Sequence, residues 1–251
     1  MEVLENDLTL GLDPIAFANE LGFTPDPWQA RVLMWSGNRI LLNCSRQTGK
    51  STTAAILALH KSIYKPDSLI LLVSPSLRQS SELFRKVTDL LNRLTVRPRK
   101  IEDNRLSCTF ENKSRIVSLP SSEATIRGFS GANLIIEDES SRVPDELYRA
   151  IRPMLAVSGG KLILMSTPFG KRGHFFEEWD KGQGWEKIQV KANECPRISE
   201  EFLREERASL GDWWFKQEYM CEFVEPVDRV FGYELVMGML SSDVKPLFTE
   251  E

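Results

Sequence analysis

Four short stretches of this chain are apolar without interruption: "RILLNCS" (39–45), "SLILLVSPS" (68–76), "NLIIEDES" (133–140) and "KLILMSTP" (161–168). A strand with one wet face alternates apolar and polar residues. An unbroken run belongs to a strand covered on both sides, as in a parallel sheet between two layers of helices. Helical segments over Lys50–Tyr64, Gln79–Leu94 and Pro144–Leu155 separate the runs, so the order is β-α-β-α and the expected class is α/β. A hairpin is expected from "LSCTF" and "RIVSLP", and a further strand within "WEKIQVKAN". Beyond it, Ser199 caps a helix that Gly211 stops, and "DWWFKQEYMCEF" continues as a second helix.

What the runs end in carries the chemistry. The first leads into "NCSRQTGKSTTAAIL", whose Gly49-Lys50-Ser51 completes G-x-x-x-x-G-K-S/T, while Cys44 stands where the opening glycine belongs. In such a loop, backbone N–H groups turn toward phosphate oxygens, and the following helix adds its positive end. The third run ends in Glu137, Asp138 and Glu139, where one acid can hold Mg²⁺ and the next can orient water. The fourth ends in Ser166 and Thr167, small hydroxyls suited to sensing a terminal phosphate. Upstream, the amide of Gln29 in "PDPWQARVL" could read an adenine edge.

Charge and cysteine content narrow the alternatives. At a formal net charge of −4 the chain as a whole is not a basic nucleic-acid binder. Residues 78–115 nonetheless hold ten Lys/Arg against five Asp/Glu, and residues 196–251 reverse this to six against thirteen. Arg93, Arg97, Arg99 and Lys100 crowd "NRLTVRPRKIEDNR" near a helix end and a Pro-containing loop, where they could grip a DNA backbone without reading bases. Cys44, Cys108, Cys195 and Cys221 are scattered and lack nearby histidines, so buried reduced thiols are expected rather than a zinc site. No apolar run approaches the ~20 residues of a membrane span. The acidic N-terminus, broken by Pro14, has the character of neither a signal nor a transit peptide.

Taken in order, "PWQ", "CSRQTGKS", "IRG", "LIIEDES" and "MSTP" resemble the ATPase domain of large terminase subunits, the motors that pump DNA into viral capsids. The likeness runs from about Pro25 to about Glu225. In that family the loop commonly lacks its first glycine and carries an internal arginine, as here with Arg46. Glu137 departs from the pattern, which usually has an apolar residue there. The resemblance implies a P-loop NTPase of the additional-strand, catalytic-glutamate (ASCE) type, with ATP and Mg²⁺ as cofactors. It assigns nucleotide contacts to Ser45, Arg46, Gln47, Thr48, Gly49, Lys50, Ser51 and Thr52, with Gln29 at adenine and Thr167 in the coupling motif. Ser51 and Asp138 would hold the metal, Glu139 would polarise water, and Arg46 in cis and Arg127 in trans would stabilise the transferring phosphoryl group, ahead of Arg142 and Arg152.

Also implied are double-stranded DNA, a portal protein and a small terminase subunit as partners. A homo-oligomeric ring, pentameric on the capsid, would work in the host cell cytoplasm and transiently at the procapsid portal. Residues 1–195 would be the ATPase core, and residues 196–251 a helical lid with a linker toward a nuclease domain absent from this chain. Two rivals share parts of this pattern. A DEAD-box-like helicase needs a second nucleotide-binding-like domain, and a non-hydrolysing DNA scaffold has no use for Lys50, Ser51, Asp138 and Glu139 together.

Overall fold

The computed structural model describes residues 2–121, 126, 128–225 and 238–239. Eight strands form one sheet: β1 (Arg39–Cys44), β2 (Leu69–Ser74), β3 (Lys100–Asn104), β4 (Ser107–Phe110), β5 (Arg115–Pro120), β6 (Leu134–Asp138), β7 (Lys161–Ser166) and β8 (Glu186–Val190). Their order is β3-β4-β5-β2-β6-β7-β1-β8. From β5 to β8 every pairing is parallel, and the β3–β4 and β4–β5 pairings are antiparallel. β7 lies between the acidic strand β6 and the loop-bearing strand β1, so all three deliver their C-terminal ends to one edge of the sheet.

The unbroken apolar runs have a direct structural cause. Ile40, Leu42, Ile70, Leu72, Leu134, Ile136, Ile163 and Met165 enter one core. Their neighbours Leu41, Leu71, Val73, Ile135, Leu162 and Leu164 enter another on the opposite face. The first core is closed by α2 (Pro14–Glu20), α3 (Pro27–Leu33), α4 (Lys50–Tyr64) and α5 (Leu77–Leu91), and the second by α6 (Asp145–Ile151) and α7 (Gly173–Asp180). Alternate side chains therefore bury on alternate faces, and each of these strands carries an unbroken apolar run. Ahead of this lies α1 (Glu2–Leu12), tied to α4 through the His60 ring and the Leu10 carbonyl at 3.0 Å.

One expectation changes. The basic stretch is not all loop, because Lys100 opens the edge strand β3. Most of that strand is exposed and charged, which blunts an edge against pairing with another chain. The helical pair expected after Ser199 is present: Ser199 caps the first helix, Gly211 with φ 78° and ψ 162° interrupts it, and the second helix continues to Glu218, the two together being α8 (Glu200–Glu218). α8 packs a small cluster of Leu203, Phe215 and Tyr219 on Ala192. The chain then returns to the sheet, where the Cys221 carbonyl accepts from Asn43 Nδ2 (2.9 Å) and Gln189 Nε2 (3.0 Å). Trp213 donates to the Glu225 carbonyl, and Trp214 lies partly exposed beside it.

Candidate nucleotide site

Cys44 is still strand: it is the last residue of β1 and is fully buried beneath α4. Burial pushes its thiol up to about 12, so it stays neutral. The turn glycine is needed further on, where Gln47 (φ 62°) and Gly49 (φ 92°) take left-handed backbone. A Cβ at Gly49 would stand 2.7 Å from Gln29 Nε2. The missing opening glycine therefore costs this loop nothing.

Residues 45–49 are fixed from several sides. Ser45 N–H donates to the Val190 carbonyl (2.9 Å), and Thr48 Oγ1 donates to the Ser45 carbonyl (2.9 Å). The Thr48 carbonyl accepts from Gln29 Nε2 (3.1 Å) and from an Arg197 guanidinium nitrogen (3.0 Å). That guanidinium also grips both carboxylate oxygens of Asp26. Gln29 Oε1 accepts the Asp26 N–H at 2.8 Å, so this fully buried amide ties the loop at Thr48 to the start of α3 instead of standing open toward a base. The Gly49 carbonyl accepts from the Thr52 and Thr53 N–H groups and starts α4, where the Lys50 and Ser51 N–H groups stand at positions without an intrahelical acceptor.

Side-chain parity sorts the three adjacent acids. Residues 134 and 136 face the α4 side, and Asp138 follows them; residue 135 faces the α6–α7 side, and Glu137 follows it. Ser51 Oγ accordingly donates to Asp138 Oδ2 at 3.3 Å. Lys50 Nζ lies 3.2 Å from Glu139 Oε1. Burial pulls the Lys50 ammonium downward, but Glu139 and Asp138 outweigh it and the net shift is upward. Burial raises Asp138 to about 6, with Glu139 adding to the rise and Lys50 opposing it. Four groups from α4 and the end of β6 thus converge at the loop mouth. Two hard oxygens side by side, one of them a desolvated carboxylate, suit a Mg²⁺ ion. Thr167 Oγ1, just beyond β7, is buried without a hydrogen-bond partner among the described residues.

The arginines occupy different places. Arg46 Nε donates to Glu218 Oε2 (2.5 Å), and Arg142 lies 3.6 Å from the same carboxylate. Arg152 pairs with Glu178 at 3.9 Å, away from the loop. Arg127 lies outside the described residues. Arg97 donates to the Asn92 carbonyl, Arg99 faces Glu111 at 3.6 Å, and Lys100 pairs with Asp103. These three are surface groups on or near the β3 edge, each engaged with a neighbour of its own.

Sequence reasoning did not anticipate Glu218, Arg197 or His174. A usable signal existed only for His174: an acid at the end of a buried strand demands a partner, and the chain has two histidines.

A family model described as "Terminase large subunit, T4likevirus-type, N-terminal" matches residues 41–236. The large terminase subunit of Thermus phage G20c is 26% identical over 252 aligned positions, covering 86% of this chain and 52% of that protein. This chain therefore spans about half the length of the curated relatives it matches. Among solved structures, the Thermus phage P74-26 large terminase ATPase domain superposes with a TM-score of 0.74 at 22% identity, covering 83% of this chain and 97% of that one. A large terminase from a thermophilic bacteriophage, solved in complex with ATP-gamma-S, gives 0.61 at 16% identity over 79% of this chain and 52% of that one. Both likenesses concern the fold.

Proposed function

The chain belongs to the N-terminal family of T4likevirus-type large terminase subunits, and on that premise we propose that it is the ATP-hydrolysing motor domain that translocates double-stranded viral DNA into a procapsid. One observation carries this reading: Lys50, Glu139, Ser51 and Asp138 converge at the mouth of the 45–49 loop. A DNA-holding scaffold would have no reason to bury a lysine and an aspartate together there.

The chain's own groups suggest a sequence of events. Without nucleotide, Lys50 is neutralised by Glu139. Triphosphate oxygens entering the loop compete for the Lys50 ammonium, and Glu139 is released to accept a proton from an attacking water. Ser51 and Asp138 would hold Mg²⁺, whose charge would offset that of the terminal phosphates. The loop N–H groups and the start of α4 hold the phosphates in line. Arg46 is the cis candidate for the charge that develops on the γ-phosphoryl, and to reach it must exchange Glu218 for phosphate. Arg127 keeps its proposed trans role in a ring.

The proposed division stays at residue 195, with α8 as the lid and a linker beyond it. The proposed setting is a ring at the procapsid portal in the host cytoplasm, meeting the portal protein and small subunit, with Arg97, Arg99 and Lys100 toward DNA. The decisive experiment is phosphate release as a function of protein concentration for the wild type, Lys50→Ala and Glu139→Ala. Turnover that both substitutions abolish supports the reading, and specific activity rising with concentration supports a shared site. Wild-type protein that neither binds an ATP analogue nor releases phosphate ends it.

A further inference from the structure

Glu139 has a left-handed backbone, φ 51° and ψ 41°, which a β-carbon disfavours. Such a residue keeps that conformation only where its surroundings over-determine it. The surroundings here are specific. Glu137 is completely buried, and its Oε1 accepts from both Ser140 Oγ (2.5 Å) and His174 Nε2 (2.6 Å). Ser140 Oγ also lies 3.0 Å from that same ring nitrogen. The residues on either side of the Asp138–Glu139 pair thus bond each other directly, and one imidazole touches both of them.

His174 is itself held. Asp145 Oδ1, at the start of α6, lies 3.0 Å from Nδ1 and accepts the His174 backbone N–H at 2.7 Å. With carboxylates at both nitrogens, the ring donates at both. Tyr148 stacks on it at 4.4 Å, nearly parallel. One residue further along β6's turn, Ser141 Oγ meets Ser166 Oγ at 2.7 Å, joining this turn to the end of β7. Among the described residues, none of these bonds involves Lys50, Ser51 or the loop, so nucleotide binding has no need of the network.

Resting on the ATPase reading above, we infer that His174 is a positioning residue for hydrolysis: by bracing the bonded Glu137–Ser140 pair it holds Glu139 in the left-handed geometry that aims its carboxylate. It sits at the start of α7, where the chain emerges from the segment following Ser166 and Thr167. Displacement of that segment therefore reaches the water-orienting residue through one ring. The function is to aim Glu139, and its signature is a loss in kcat with ATP affinity kept.

The test replaces the clamp by apolar groups of similar size, Glu137→Leu with His174→Phe, because a buried ion pair exchanged this way commonly leaves stability intact. Steady-state ATPase, binding of a fluorescent ATP analogue and thermal melting are measured on the same preparations. The expected result is kcat lower by roughly 10- to 100-fold, the range for lost orienting contacts, with KM and analogue affinity within about threefold of wild type. His174→Gln, whose amide still reaches Glu137, should recover most of the rate. A double variant that melts like wild type and keeps its kcat overturns the inference. If the double variant does not fold, Asp145→Ala, at a partly exposed position, decides instead: kcat must fall with KM unmoved, and an unchanged kcat overturns the inference equally. Absence of turnover in the wild type is a different failure, which removes the ATPase reading and this inference with it.

Discussion

Substituting Gln29 by Leu separates two roles that the same side chain could play. The buried amide accepts the Asp26 N–H and donates to the Thr48 carbonyl. Leucine fits the space and makes neither bond. The half-buried Asp26 N–H is then left without its acceptor, at about 1–2 kcal/mol, while Thr48 keeps its Arg197 donor and loses about 0.5–1.5 kcal/mol. A sum of about 2.5 kcal/mol corresponds, for a chain of this size, to a melting temperature lower by roughly 5–10 °C. Calorimetry on the nucleotide-free protein measures this directly. Because the amide braces the loop, affinities for ATP and GTP analogues should weaken together, leaving their ratio unchanged within about twofold. An unaltered melting temperature combined with a collapsed preference for ATP would refute the reasoning and return Gln29 to adenine.

Glu218→Gln keeps the volume but withdraws the charge that engages Arg46 and Arg142. A partly exposed ion pair of this kind is worth up to ~1 kcal/mol, so KM for ATP should fall by up to about fivefold as Arg46 becomes available to phosphate; a rise in KM would count against that account. His174 supplies a pH dependence. Burial pulls its pKa down, but Glu137 and Asp145 outweigh it and raise the folded value above the ordinary one. A raised histidine contributes its stability below about 6.5 and loses it as pH climbs through the folded pKa. The melting temperature should therefore decline from neutral into alkaline pH, and His174→Phe should lack that component of the slope. Charge reversal at Arg99 and Lys100 should weaken DNA binding and flatten its salt dependence while ATP-analogue binding persists. Unchanged DNA affinity would locate the grip elsewhere.

The parallel sheet was legible because its strands bury both faces, which leaves a mark that local propensity alone does not. Cys44 misleads only if the motif is taken as a string; in the fold it ends a strand, and the turn lies at residues 47–49. Asp138 and Glu139 could be placed at a strand end by the apolar residues before them. Glu137 looked like a superfluous third acid because the helix that answers it, α7, begins 36 residues later and has no pattern linking it to β6. Likewise Gln29 and Arg197 meet at the Thr48 carbonyl from opposite ends of the chain, with Asp26 holding the guanidinium. Such long-range polar meetings obey no periodicity, so no reading along the sequence finds them. β3 went unread as a strand since its charged, exposed residues carry no alternation.

Glu137 and Asp138 are covalent neighbours that work on opposite sides of an eight-stranded sheet. That division of labour makes β6 intolerant of changes in length rather than of changes in chemistry. Deleting or adding one residue anywhere between Leu134 and Glu137 would turn the carboxylates over, sending the metal-side acid to the histidine and the histidine's acid toward Ser51. Along this strand, evolution can exchange one apolar side chain for another freely, but it can alter the count only in twos.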